Sequence, residues 1–130
     1  MSIKLMLIDD DDDDIKLFVD SAREVDSNIE CIIEKDGAAG LKYLKDGNSL
    51  LPDYIFLDLR MPKINGEKCL EEIKKTERLK GIPVFVYSTS TDEKDILNLE
   101  KGGAIMFISK PKDTREVYYL ISNIIGEKWI

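Results

Sequence analysis

Histidine is missing altogether from this chain of 130 residues. Its absence removes Ser/His/Asp and Cys/His nucleophilic catalysis and every imidazole-bound metal, because each needs a ring that is not there. Cysteine is nearly as scarce: Cys31 and Cys69 stand far apart without CxxC spacing, and they read as small apolar side chains, buried or half-buried. Long apolar runs are lacking too. The longest, Ala104 to Ile108, falls far short of the roughly 20 residues a membrane span requires, and the N-terminus carries no signal-peptide pattern. No membrane is expected as a partner, and the cytoplasm is the expected location. Positive charge is also in deficit, with 19 Lys and Arg against 26 Asp and Glu, a net charge of −7, and no Lys/Arg-rich block. Without a basic face to release phosphate counterions, direct binding of DNA or RNA is not expected.

What the chain does have is a 43% hydrophobic composition and a run of six carboxylates, Asp9 to Asp14, directly after the apolar stretch Ile3 to Ile8. The length suits one compact domain, which we place at residues 1–130 with no output domain attached. Five short apolar runs rich in β-branched residues read as strands: Lys4 to Ile8, Ile29 to Glu34, Tyr54 to Leu57, Val84 to Tyr87 and Ile105 to Ser109. Near-continuous apolarity points to strands covered on both faces. Between them lie helical faces: Ile15, Phe18, Val19 and Ala22; Leu41, Tyr43 and Leu44 within Ala38 to Lys45; Leu70 and Ile73 after Gly66; Ile96, Leu97 and Leu99 within Glu93 to Lys101; and Val117, Leu120, Ile121, Ile124 and Ile125. Five βα units imply right-handed crossovers and an α/β fold: a doubly wound, parallel, five-stranded sheet with helices on both faces.

In such sheets the site lies outside the carboxyl ends of the strands. The residues there are Asp9 and Asp10, then Asp58, then Ser88 with Thr89, then Lys110 with Pro111. Two negative charges about 4 Å apart repel by about 4 kcal/mol at an effective dielectric near 20, so clustered carboxylates need a cation or raised pKa values. Oxygen ligands without imidazole or thiolate select Mg²⁺, Mn²⁺ or Ca²⁺, and few protein ligands plus water suit Mg²⁺ best. Lys110 and the Ser88 hydroxyl add donors for a phosphoryl group. Asp58, anchored by the apolar Tyr54 to Leu57, is then the candidate nucleophile of an aspartyl-phosphate chemistry, and the adjacent pair Asp9 and Asp10 better fits a metal clamp.

These residues carry a resemblance. Leu7-Ile8-Asp9-Asp10, the stretch Pro52 to Pro62 around Asp58, Asn65-Gly66, the stretch Pro83 to Ser88, and Lys110-Pro111 stand in one order, with 30 residues from Asp58 to Ser88 and 22 more to Lys110. The chain resembles the receiver domain of bacterial two-component response regulators over nearly its whole length. It is most similar to the single-domain, chemotaxis-regulator type and, through Asp12 to Asp14 and Leu50 to Asp53, to stand-alone regulators associated with phytochrome-type kinases.

The resemblance implies a flavodoxin-like fold and a phosphoacceptor rather than a turnover enzyme, with at most self-catalysed phosphotransfer and autodephosphorylation. Asp58 would accept phosphate from a sensor histidine kinase or a histidine phosphotransfer protein. Asp10, Asp58 and the backbone carbonyl of Arg60 would ligate Mg²⁺ (or Mn²⁺), with Asp9 acting mainly through water and hydrogen bonds. Lys110, Ser88 and Thr89 would serve the phosphoryl group, and Ser88 and Phe107 would form the switch toward an unnamed downstream protein. The family's output face would include Phe107 and parts of Lys101 to Lys112, in a monomer or a phosphorylation-linked homodimer, and Lys110-Pro111 is a candidate cis peptide.

Plainer readings stand beside these. Asp11 to Asp14 read as the start of a helix, with Asp11 or Asp12 as N-cap. Asp36 reads as a turn residue, Thr89 or Ser90 competes with Ser88, and Phe107 and Trp129 taken alone are packing residues. An atypical receiver that binds partners without phosphorylation is the alternative function. A haloacid-dehalogenase-like hydrolase would need an acid two residues past the nucleophile, where this chain has Arg60.

Overall fold

The apolar runs and helical stripes assemble into five βα units in a computed structural model that describes residues 2–61, 64–89 and 93–126. Pro62, Ser90 and Trp129 lie outside the described residues. The elements are β1 (Lys4–Ile8), α1 (Asp12–Val25), β2 (Glu30–Glu34), α2 (Gly37–Lys45), β3 (Tyr54–Leu57), α3 (Gly66–Lys75), β4 (Val84–Ser88), α4 (Glu93–Lys101), β5 (Met106–Ser109) and α5 (Thr114–Ile125). All neighbouring strands pair in parallel, in the order β2-β1-β3-β4-β5. The strand order reverses beside β1, so its carboxyl end and that of β3 open the crevice of a doubly wound sheet.

Period-2 alternation divides the strand residues between two layers. Leu5, Leu7, Phe56, Phe85 and Tyr87 point to one face, where Phe18 and Ala22 of α1 and Val117, Ile121 and Ile124 of α5 cover them. Met6, Ile8, Ile55, Leu57, Val84 and Val86 point to the other, under Leu41 and Leu44 of α2, Cys69, Leu70 and Ile73 of α3, and Leu99 of α4. The residues of β4 are buried throughout, as are Leu5 to Ile8 and Ile55 to Leu57, as expected of strands covered on both sides; the outer strands β2 and β5 are only partly covered. Ring centroids of Phe18 and Phe56 lie 5.0 Å apart, and those of Phe56 and Phe85 5.5 Å apart, which makes the α1/α5 face the aromatic one.

Asx side chains cap α1, α2, α3 and α5. Asp11 accepts from the Asp14 N–H at 3.0 Å, Asp36 from Ala39 at 2.7 Å, Asn65 from Lys68 at 3.0 Å and Asp113 from Glu116 at 2.9 Å. Asp36 is therefore the N-cap of α2, and Asp11 that of α1. A Cβ on Gly66 would sit 2.7 Å from the Asp58 carbonyl oxygen, so α3 can begin against the end of β3 only with glycine there. Gly103, at φ +108°, turns the chain out of α4.

Two expectations are corrected. Leu97 does not share the buried stripe of α4: it is 56% exposed, because it sits 100° around the helix from Ile96 and 200° from buried Leu99. The Lys110–Pro111 bond is trans, the isomer lower in energy by about 0.5–1 kcal/mol for an X–Pro bond. None of the described helices is long and apolar enough to cross a membrane.

Candidate functional site

The strands that end at the crevice deliver its polar groups, and the ladder fixes where. The Asp58 N–H donates to the Ile8 carbonyl at 2.9 Å, the Asp9 N–H to Glu34 at 3.0 Å, and the Lys110 N–H to Ser88 at 3.0 Å, so main-chain pairing runs up to and past the strand ends. Asp9 is fully buried, Asp58 is 6% exposed, and Asp10, one residue past Asp9 on the opposite side of the pleat, is exposed. Carboxylate oxygens of Asp9, Asp10 and Asp58 come within 4.8 Å of one another. Sequence reasoning named these three, and the structure brings them together.

Lys110 reaches into the cluster from the end of β5. Its Nζ lies 2.7 Å from Asp9 Oδ2, 2.8 Å from Asp14 Oδ2 and 3.4 Å from Asp58 Oδ2. It also lies 5.9 Å from the centroid of the buried Tyr87 ring. Burial works against its charge, but hydrogen bonds to Asp14 and Asp9 and the field of Asp58 outweigh it and hold the ammonium above the ordinary lysine range. Burial raises Asp9 to about 6, opposed by Lys110 and by the Asp11 N–H, which donates to Asp9 Oδ1 at 3.0 Å.

Asp14 is the close neighbour of Lys110 that sequence reasoning missed. As sequence it reads, with Asp11 to Asp13, as a helix start, yet it falls four and seven residues before the buried Phe18 and Ser21 of α1, on the helix face turned toward the sheet. That phase was the available signal. By contrast, Asp12 is exposed and pairs with Lys35 at 2.6 Å, as a solvated helix start should.

Ser88 is buried at the end of β4, and Thr89 follows it exposed. Arg60 contributes through its backbone: its N–H lies 3.4 Å from Asp58 Oδ1, and its side chain is exposed. Phe107 is half-buried, pairs in register with Val86 and packs against the α2–α4 core. A groove of about 940 Å³ between α1 and α5, lined by residues such as Arg23 and Tyr119, contains none of these groups. Cys69 is buried and Cys31 half-buried, as expected.

A divalent cation fits this donor set. Asp9 Oδ2 is fully buried against the Lys110 ammonium at 2.7 Å, and carboxylate oxygens of three like-charged residues lie within 4.8 Å of one another. All donors are oxygens, which suits Mg²⁺ or Mn²⁺.

A parallel sheet in the order 2-1-3-4-5, with clustered acids at the ends of β1 and β3 and a lysine after β5, is a doubly wound sheet whose polar groups gather at the switch-point crevice. The model of the response regulator receiver domain matches residues 5–122, and the chain belongs to that family, the receiver domains of two-component signalling. Among curated relatives it is 30% identical over 124 residues to the response regulator Rcp1 of Synechocystis sp., covering 92% of this chain and 84% of that one. It is 35% identical over 99 residues to a probable methanogenesis regulatory protein, FilR2, of Methanothrix harundinacea, covering 74% of this chain and 63% of the relative, so the match spans under two-thirds of that protein. Rcp1 solved in a Mn²⁺-bound form superposes with a TM-score of 0.85 at 29% identity, covering 95% and 92% of the two chains. The phosphorylated cyanobacterial phytochrome response regulator RcpA gives 0.87 at 31%, covering 95% and 91%. Such receivers are generally signalling proteins rather than enzymes.

Proposed function

We propose that this chain is a cytoplasmic phosphorylation switch in which Asp58 takes a phosphoryl group from a phosphohistidine of a sensor histidine kinase or a histidine phosphotransfer protein. The observation that carries the reading is the position of Asp58: buried at the end of β3, beside the carboxylates of Asp9 and Asp10, with the Lys110 ammonium 3.4 Å away. In the transfer, an Asp58 carboxylate oxygen forms the new P–O bond, the P–N bond to the donor imidazole breaks, and the ring nitrogen leaves with the electron pair.

Asp9, Asp10, Asp58 and the Arg60 carbonyl would hold Mg²⁺ or Mn²⁺. When bound, the ion neutralises the clustered acids and the charge developing on the phosphoryl oxygens. Lys110 supplies a point-charge donor to the same oxygens, and the Ser88 hydroxyl, with Thr89 next to it, supplies a neutral one. A Ser88 that moves toward the phosphoryl group leaves its place in the layer beneath, and Phe107, across the β4–β5 pair, repacks with it. The acyl phosphate thus biases a two-state equilibrium, because it contacts Ser88 in one state and not the other. A downstream protein then reads the face around Phe107. The similarity to Rcp1 and RcpA favours a photoreceptor-type kinase as donor.

Acetyl phosphate with Mg²⁺ should give a hydroxylamine-labile adduct on the wild type and none on Asp58→Asn. Equal labelling of the two would overturn the assignment. A partner held equally by wild type and Asp58→Ala, without response to beryllofluoride, would instead identify a phosphorylation-independent interaction module.

A further inference from the structure

An ammonium has three N–H donors, and three carboxylates surround that of Lys110, whose side chain is only 6% exposed. Two of those partners, Asp9 and Asp58, belong to the group that can hold a cation. A divalent ion there draws on the same oxygens and repels the ammonium, so those two contacts weaken when the cluster fills. The third partner lies outside that group. Asp14 stands in the first turn of α1, its N–H capped by Asp11 at 3.0 Å, on the inward face shared with Phe18 and Ser21. Ser21 in turn donates to the Thr114 carbonyl of α5 at 3.3 Å, which ties α1 to the helix that follows Lys110. The Asp14 carboxylate is therefore held by a packed helix, 2.8 Å from Lys110 Nζ.

Resting on the phosphoacceptor reading, we propose that Asp14 is a positioning residue for Lys110: it keeps the ammonium at the crevice when the cation cluster is occupied, with donors left over for the oxygens of the phosphoryl group. Lysine otherwise loses considerable rotamer freedom on being fixed, and a tether that is already in place lowers what remains to be lost when the phosphoryl group arrives. Asp14 does not touch the reacting atoms. It acts through Lys110 alone, which separates it from the neighbouring acids: Asp13, in the same turn, carries the same charge but is exposed.

The test compares the full-length wild type with Asp14→Ala, Asp14→Glu, Asp13→Asn, Lys110→Met and the Asp14→Ala/Lys110→Met double variant. Labelling by acetyl phosphate in Mg²⁺ should slow by about tenfold in Asp14→Ala, the loss expected of one charge-assisted contact, and by less than about twofold in Asp13→Asn. Asp14→Glu should recover most of the rate, and the double variant should be no slower than Lys110→Met, because the effect passes through that one side chain. A second readout needs no phosphorylation: in Mg²⁺ the Lys110 ammonium should give a slowly exchanging ¹⁵N–¹H signal in the wild type and Asp13→Asn that is lost in Asp14→Ala. Equal rates and equal ammonium signals in Asp14→Ala and Asp13→Asn would overturn the proposal, as would the same slowing by Asp14→Ala in the Lys110→Met background. A wild type that takes no label strikes the phosphoacceptor reading instead, and the ammonium signal then decides the role of Asp14 by itself.

Discussion

The same strands build two regions of opposite character. Along their length they supply the aromatic layer beneath α1 and α5, where Phe18, Phe56, Phe85 and Tyr87 meet edge-on or stacked at 5.0 to 6.0 Å and are essentially inaccessible to water. One residue beyond their carboxyl ends they supply Asp9 and Asp58, buried nearly as deeply but with like charges together and one ammonium shared among them. The layer gains from burial; the edge is strained by it. A binding site for cation and phosphoryl group is what remains when carboxylates are held where the fold alone would not favour them, and the apolar layers supply the free energy that holds them.

Substitutions should sort by region. Phe56→Ala removes the ring at the centre of the aromatic layer and should lower unfolding free energy by about 3–5 kcal/mol in denaturant titrations. Asp9→Asn, an equally buried change, should do the reverse in EDTA, leaving stability unchanged or raising it by about 1 kcal/mol. A loss as large as that of Phe56→Ala would mean that the edge is not strained. The order should invert with a divalent ion. Mg²⁺ at ten times its dissociation constant should stabilise the wild type by about 1.4 kcal/mol, read as a rise in Tm, and leave Asp9→Asn and Asp58→Asn nearly unmoved.

The other face offers a comparison by pH. Burial pushes the Cys69 thiol up to about 12 from an ordinary value of 9.0. A raised folded-state pKa contributes stability that is intact below 9 and is lost as pH rises toward 12, because only the unfolded chain readily gives up the proton. At pH 10 that loss is about 1.4 kcal/mol, and Cys69→Ala should flatten this part of the pH–stability curve. Rapid alkylation of Cys69 in the folded protein at pH 8 would contradict its burial. Asn65→Ala, which removes the cap of α3 just past Asp58, should cost about 1 kcal/mol without changing Mg²⁺ affinity.

Strand and helix positions were readable in the sequence to within a residue or two at most ends. Tyr54–Leu57 and Glu93–Lys101 fall where the pattern put them. Periods of 2 and 3.6 are local, and each apolar side chain needs a covered face whatever its partners turn out to be. Asp9, Asp10, Asp58, Ser88 and Lys110 were legible for a related reason: once five βα units are recognised, the residue after each strand must lie at one edge of the sheet. Leu97 is exposed because helical phase, not apolar composition, decides which face of α4 is covered.

Tertiary structure alone decided the rest. That Asp9 is buried while Asp10 is exposed follows from the pleat direction and from α1 and β2 closing over one side. That Lys110 lies nearer to Asp9 and Asp14 than to Asp58 depends on α1 and β5 converging from positions 96 residues apart. The six-Asp run is uniform as sequence, yet the folded chain divides it into cluster, cap, tether and solvated face, because each carboxylate takes its role from what the fold sets opposite it.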